Sequence, residues 1–156
     1  MMPKPQTLYQ VIRHVRSCFN QLKALSDELH QDLGISASMR AVMESLAEDG
    51  GQTVPQIARV KGVSRQHIQV NVDELVDSAL VVLRDNPGHR RSLFVTLTKK
   101  GQTVFKEMRH REMKLLELLA HDFRLDQLEE TVETLMKLRK SLVTTRENGR
   151  QHGRTS

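Results

Sequence analysis

Apolar residues recur every seven positions near the start of the chain. Leu8, Val15, Leu22 and Leu29 form one row, Val11, Cys18 and Leu25 interleave with it, and Ile12 and Phe19 widen the stripe. Positions seven apart share one helix face, so the pattern predicts an amphipathic helix from about Thr7 to His30. Gly34 ends it, and Ser36 caps a second helix carrying Val42, Met43, Leu46 and Ala47. Asp49-Gly50-Gly51 breaks the pattern. Thr53 and Gln56 then have capping-box spacing around Pro55, and the short helix they open stops at Gly62. Ser64 caps a further helix whose apolar face is Ile68, Val72, Leu75, Val76 and Ala79.

Beyond that helix the period changes from helical to alternating. Val81 to Asp85 and Ser92 to Leu97 are strand-like, with Leu93, Val95 and Leu97 alternating and Asn86-Pro87-Gly88 supplying the turn. Thr98 caps a long helix to about Ala120 that includes Val104, Phe105, Met108, Leu115, Leu118 and Leu119. Asp126 and Glu129 are spaced as a capping pair for a last helix bearing Leu128, Leu135 and Leu142, with Val132 and Leu138 beside them. From about Thr144 little remains that could pack, and a disordered basic tail is expected over 144–156.

Ala58, Gly62, Val63 and Ile68 stand at helix-turn-helix intervals. A small residue lets the second helix approach, a glycine takes the left-handed turn, and a β-branched residue anchors the second helix. Ser64, Arg65, Gln66, His67, Gln69 and Asn71 avoid the apolar stripe of that second helix. Gln and Asn pair bidentately with adenine and Arg with guanine, so this face has the chemistry of base-edge readout, while Ser64 at the helix start suits a phosphate. The following hairpin carries Arg84, His89, Arg90 and Arg91 around its turn, which makes it a basic wing suited to phosphates or the minor groove. The fold class expected is mostly α with a small β-hairpin wing, a winged helix-turn-helix flanked by N- and C-terminal helices.

Composition narrows the partner. The net charge of +5 favours a polyanion, since each neutralised phosphate releases counterions. Aromatics make up only 3% of the chain, so the core must be aliphatic and stacking recognition has few side chains to use. Cys18 is the single cysteine, which excludes an intramolecular disulfide framework and fits a reducing cytosol. No apolar run approaches bilayer length and no signal-peptide core is present, so a cytoplasmic location without membrane contact is expected. Gly-rich phosphate loops, nucleophile elbows and zinc-protease motifs are missing, and His110 and His121 are too far apart on one helix to chelate an ion. No enzyme activity, cofactor or metal is therefore expected.

Taken together, the order of elements and these residues resemble the MarR family of transcriptional regulators over about Thr7 to Leu142. The most similar stretch runs from Ser36 through Ser64-Arg65-Gln66 and Leu80-Val81, then Pro87-Gly88-His89-Arg90-Arg91, to Leu97-Thr98-Lys99-Lys100-Gly101. Three positions depart from the family pattern. His89 replaces a usual Asp in the wing, Val70 stands where Arg is frequent, and Ala79 stands where Gly is usual. The resemblance implies a homodimer whose terminal helices interlock, which the heptad stripes match, and a double-stranded, pseudo-palindromic operator as partner. It implies an N-terminal dimerisation helix over 1–34, a DNA-binding domain over 35–101 and C-terminal dimerisation helices over 102–143. It further implies a repressor released by a small aromatic or phenolic ligand, with Arg13, His14 and Arg16 available to an anionic one. Peroxide-sensing relatives place a cysteine on the first helix, so a redox switch at Cys18 is one alternative; its place on the apolar stripe favours burial instead. The other alternative is a winged-helix module that binds protein.

Overall fold

The computed structural model describes residues 1, 3–88 and 91–152. Helix α1 (Lys4–Leu29) leads through a short 3-10 turn (Gln31–Leu33) to α2 (Ala37–Asp49), α3 (Val54–Lys61) and α4 (Arg65–Asp77). Strands β1 (Val81–Arg84) and β2 (Phe94–Leu97) precede two long helices, α5 (Lys99–Ala120) and α6 (Leu125–His152). The fold is thus mostly α with one antiparallel hairpin. Two compact units are present, Met1–Glu112 and a second beginning at Met113, and α5 runs through the boundary.

Local chemistry starts most of these helices. The Ser36 hydroxyl accepts from the Met39 N–H at 3.2 Å. At α3 the box is reciprocal: Thr53 accepts from the Gln56 N–H at 3.4 Å, and Gln56 Oε1 accepts from the Thr53 N–H at 2.8 Å. Each such cap satisfies amides that have no partner inside the helix, at about 1 kcal/mol per side chain. Helix α1 begins earlier than the hydrophobic stripe, at Lys4, because Pro5 in its first turn lacks only an N–H that would be unpaired there.

Every buried apolar side chain among the described residues lies in the first unit. Met39, Val42, Met43 and Leu46 of α2 meet Ile57 and Ala58 of α3, Ile68, Val72 and Leu75 of α4, and Val81, Val95 and Met108. Aliphatic burial of this kind stabilises by about 1.5–3 kcal/mol per large side chain. The hairpin is joined to this core by a feature with no sequence signature. Gln52 exchanges backbone hydrogen bonds with Val95 at 3.2 and 2.8 Å. Its buried amide donates to the Ser45 carbonyl at 2.8 Å and accepts from the Ser45 hydroxyl at 3.2 Å.

The junction between α4, β1 and α5 is tighter still. The Leu80 carbonyl accepts from the Thr98 N–H at 3.0 Å, and the Thr98 hydroxyl donates to the Ala79 carbonyl at 2.8 Å. That hydroxyl also accepts from the Gly101 N–H at 2.9 Å, capping α5 as its sequence predicts. A Cβ on Gly101 would lie 1.9 Å from the Leu80 oxygen, so only glycine permits this crossing.

A charged cluster ties the end of α1 and the start of α2 to α5. His30, fully buried, contacts Glu112 through Nε2 at 3.1 Å. Arg40 grips the same carboxylate with two donors, its Nη2 at 2.8 Å, and also pairs with Glu44 at 3.0 Å. Lys61 closes the set on Glu44 at 3.1 Å. Burial pushes the Glu112 carboxyl up, but hydrogen bonds from Arg40 and His30 and their charges outweigh it and hold it below the ordinary value. Glu44 behaves alike: burial raises it, and Lys61 and Arg40 bring it below.

Several expectations are corrected. Val76 and Ala79 are exposed, and the buried face of α4 is Ile68, Asn71, Val72 and Leu75. Leu93 lies outside β2 and is exposed, so only Val95 of the alternating trio is fully buried. Asp126 does not cap α6; its carboxylate accepts two hydrogen bonds from Arg124, at 3.1 and 2.5 Å. Where a disordered tail is expected from Thr144, α6 continues through His152, and Arg146 and Glu147 are good helix formers. Residues 153–156 lie outside the described residues. Cys18 is exposed in the single chain, as are Leu22 and Phe19 of the same stripe, because nothing in one copy covers them.

Two outcomes follow. Gly101→Ala should lower the unfolding free energy by about 3 kcal/mol in urea titration, because backbone oxygen cannot move aside as a flexible side chain can; an unchanged midpoint would show that the crossing has room. Acid should also destabilise the fold. Glu112 and Glu44 are depressed in the folded state, so their contribution is full above the ordinary value of 4.5 and is lost as the pH falls below it. Glu112→Gln should flatten that acid limb in thermal unfolding followed against pH.

Candidate nucleic-acid interface

Two backbone devices set the angle between α3 and α4. Gly62 takes a left-handed conformation (φ 69°), and the Val63 N–H reaches back to the Ala58 carbonyl at 3.1 Å. Ala58 is buried, and its small side chain leaves room for Ile68, which is buried opposite. Ser64 then caps α4 by accepting from the His67 N–H at 3.1 Å. The helix ends in a paired closing motif: Ala79 N–H donates to Val76 and Leu80 N–H to Leu75, both at 2.9 Å. This requires a left-handed residue at position 79, and Ala79 (φ 56°) is the single non-glycine with positive φ among the described residues.

The exposed face of α4 carries Arg65, Gln66, His67 and Gln69, with Ser64 at its head. Asn71 is the exception to the expected set. It is only 4% exposed, and its Nδ2 donates to the His67 carbonyl at 2.6 Å, so it braces the helix from the core side rather than facing outward. Gln69 Nε2 donates to Asp73 Oδ1 at 2.8 Å, one turn along the same face.

Across from this face stands the hairpin. Arg84 is exposed on β1 and donates from Nε to Thr96 Oγ1 at 3.3 Å. At the turn Asn86 Oδ1 accepts from the Gly88 N–H at 3.1 Å. His89 and Arg90 lie outside the described residues, whereas Arg91 is exposed on the return limb. Between hairpin and helix lies a cleft of about 480 Å³. Arg65, Gln66 and Gln69 form its polar wall, Leu83 and Leu93 its apolar one, and Arg91 its cationic lip. The structure therefore brings Arg65, Gln66, Gln69 and Arg91 of the expected residues to one concave surface, while Ser64, His67 and Arg84 are exposed outside its lining. Thr53, on the floor of this cleft, was not expected there; its capping-box signal points only to a helix start.

The α1 residues behave differently. Arg13, His14, Arg16 and Cys18 are all exposed. Arg13 and Arg16 are one turn apart, but His14 is rotated by about 100° from Arg13, so the three do not converge. None of them lines the cleft just described or a second cavity of about 350 Å³ beside Leu46, Gly50, Gln102 and Phe105.

A MarR family model matches residues 33–92, which covers α2 through β1 and stops before β2. The crystal structure of the MarR family transcription regulator SP03579 superposes with a TM-score of 0.79 at 25% identity, over 92% of this chain and 95% of that one. The fold is that of solved MarR regulators, and residues 33–92 are similar to the MarR family model. Uncharacterized protein Rv2011c of Mycobacterium tuberculosis is 40% identical over 76 residues, 49% of this chain and 53% of the relative, so the match spans about half the length of each. A mutant MarR from E. coli complexed with operator DNA shares the fold (TM-score 0.75, 20% identity, 88% of this chain and 99% of that one). So does BpsR of Bordetella bronchiseptica, whose DNA binding is regulated by 6-hydroxynicotinic acid (TM-score 0.73, 18% identity, 83% and 98%).

At the end of α4 the Ala79 turn is a point of strain. A left-handed alanine costs about 1–2 kcal/mol, while glycine costs about 0.5–1 kcal/mol in unfolded-chain entropy. Ala79→Gly should therefore raise stability by up to about 1 kcal/mol, read as a higher urea midpoint with an unchanged slope. A lower midpoint would mean that the turn carries no strain.

Proposed function

We propose that this chain is a dimeric, sequence-specific DNA-binding regulator that represses transcription by occupying a pseudo-palindromic operator. The observation that carries the proposal is the exposed face of α4, with Arg65, Gln66, His67 and Gln69, set beside a wing bearing Arg84 and Arg91. A helix N-terminus rich in amide donors reads base edges in the major groove, and wing arginines hold phosphates or the minor groove. The operator complex of the E. coli protein, which shares the fold, supports the same use here.

Dimerisation is supported by apolar surface in each unit. Phe19 (65% exposed) and Leu22 on α1, and Leu118 (75% exposed), Leu125 and Val132 in the second unit, are uncovered in one copy. A second copy is the cover we propose, and it places two recognition helices about 10 base pairs apart. Cys18, in the stripe of α1, is then packed rather than a redox switch. Regulation by a small aromatic or phenolic acid is supported by the Bordetella protein and by the Staphylococcus aureus MarR solved in complex with salicylate, which share the fold; Arg13 and Arg16 supply cations but no enclosed site.

Gel-shift titration on the DNA upstream of the protein's own gene, at several salt concentrations and with and without aromatic acids, tests these points together. Specific binding should fall steeply with salt. Arg91→Ala should weaken all sequences alike and lower the salt slope by about one, whereas Gln66→Ala should change base preference by about 1–3 kcal/mol. Equal affinity for that DNA and random duplex would refute the specific-regulator function, and unchanged affinity with saturating acids would refute effector release.

A further inference from the structure

Asp73 is a carboxylate on the helix proposed to face a polyanion, one turn beyond the last base-reading side chain. It lowers affinity for phosphates, yet it contributes no cap and packs against nothing in the core. The one interaction it makes among those described is with Gln69, whose Nε2 donates to Asp73 Oδ1 at 2.8 Å. Both side chains are exposed. On the same helix, Val70 (52% exposed) stands beside Gln69 and offers no hydrogen bond, so Gln69 is the polar group of this turn that can meet a base edge.

The chemistry of the pair fixes which way the amide points. A carboxylate accepts and cannot donate, so it must face the nitrogen of Gln69 and not its oxygen. The amide is left with one N–H and a fully available carbonyl oxygen. Adenine presents an acceptor at N7 and a donor at N6 in the major groove, which this pattern matches with two bonds. Guanine presents acceptors at both N7 and O6, so the fixed oxygen opposes O6. A freely turning glutamine could rotate to relieve that conflict, and one held by Asp73 cannot.

We propose that Asp73 is a positioning residue that locks Gln69 as a reader of adenine, sharpening discrimination against guanine at one position in each half-site. The proposal rests on the DNA-binding function above and deepens it, since it assigns the base read by that turn and the residue that enforces the choice. It also accounts for a negative charge on this face: the charge gives up general affinity for selectivity.

The test is selection of duplexes from a randomised pool with the full-length protein, followed by measured affinities for single-base variants of the selected site. The wild type should prefer adenine at one position per half-site. Gln69→Ala should erase that preference and leave the other positions unchanged. Asp73→Ala should cut adenine-over-guanine discrimination at that same position about tenfold, within the range a bidentate pair supplies. It should also strengthen binding to random duplex. Asp73→Asn should reduce discrimination too, because an amide can face either end of Gln69. Thermal unfolding of each variant should match wild type, as both residues are exposed. If Asp73→Ala leaves the preference intact, or changes every position equally, the positioning role is overturned while specific DNA binding stands. If the pool yields no enriched sequence with wild type, both fall together.

Discussion

The carbonyl oxygen of Leu80 holds three elements at one point. It accepts from the Thr98 N–H at 3.0 Å while Gly101 passes close enough that a Cβ would sit 1.9 Å away. Leu80 is also the residue whose N–H closes the end of α4 onto Leu75, and its side chain is buried. The end of α4, the entry to β1 and the first turn of α5 are therefore registered at a single residue. Lys100, donating to the Ser78 carbonyl at 2.8 Å, adds a cation where helix carbonyls leave partial negative charge. Presentation of the cleft between α4 and the hairpin depends on this junction, because neither of its walls is long enough to be stable alone.

Two junctions of the first unit are secured by different physics. The Leu80 junction is backbone and sterics, whereas the His30, Arg40 and Glu112 cluster is charge held out of water. Its strength comes from shared acceptors, with one carboxylate serving two cationic or ring donors and a second carboxylate, Glu44, taking Arg40 and Lys61. Removing one member leaves the others buried and unmatched, which costs more than the pair itself contributes. Among the described residues the exposed face of α4 has no comparable anchor. There the side chains are exposed, with Gln69 bonded to Asp73 one turn along the helix.

Local signals in the sequence were enough for the architecture. Ser36, Thr53 with Gln56, Ser64 and Thr98 all cap where their spacing predicts, and Gly62 takes the turn conformation asked of it. Failures have specific causes. Polarity alone points Asn71 outward, but its amide finds a carbonyl within its own helix and can be buried at little cost. Asp126 satisfied a spacing rule and was taken by a neighbouring arginine instead. The Gln52–Ser45 and Arg40–Glu112 contacts join residues whose pairing only the folded chain decides. Of the site, the recognition-helix face was legible as a polar run beside an apolar stripe. The α1 cations were legible only as charges, and their divergence appears once the helix is built.

The distribution of buried apolar side chains has a kinetic meaning. Among the described residues all of them precede Arg109, so the helix beginning at Leu125 is closed mainly by its own backbone bonds. Opening a segment of that kind exposes almost no new hydrocarbon to water, and its amide protons then exchange with solvent through local fluctuations rather than through global unfolding. Amides of α2 and α4 lie behind the aliphatic core and exchange only when that core opens. Deuterium uptake along the chain thus becomes a map of coverage: slow exchange in α6 is a signature of a partner laid across it, and its loss on dilution measures how tightly that partner is held.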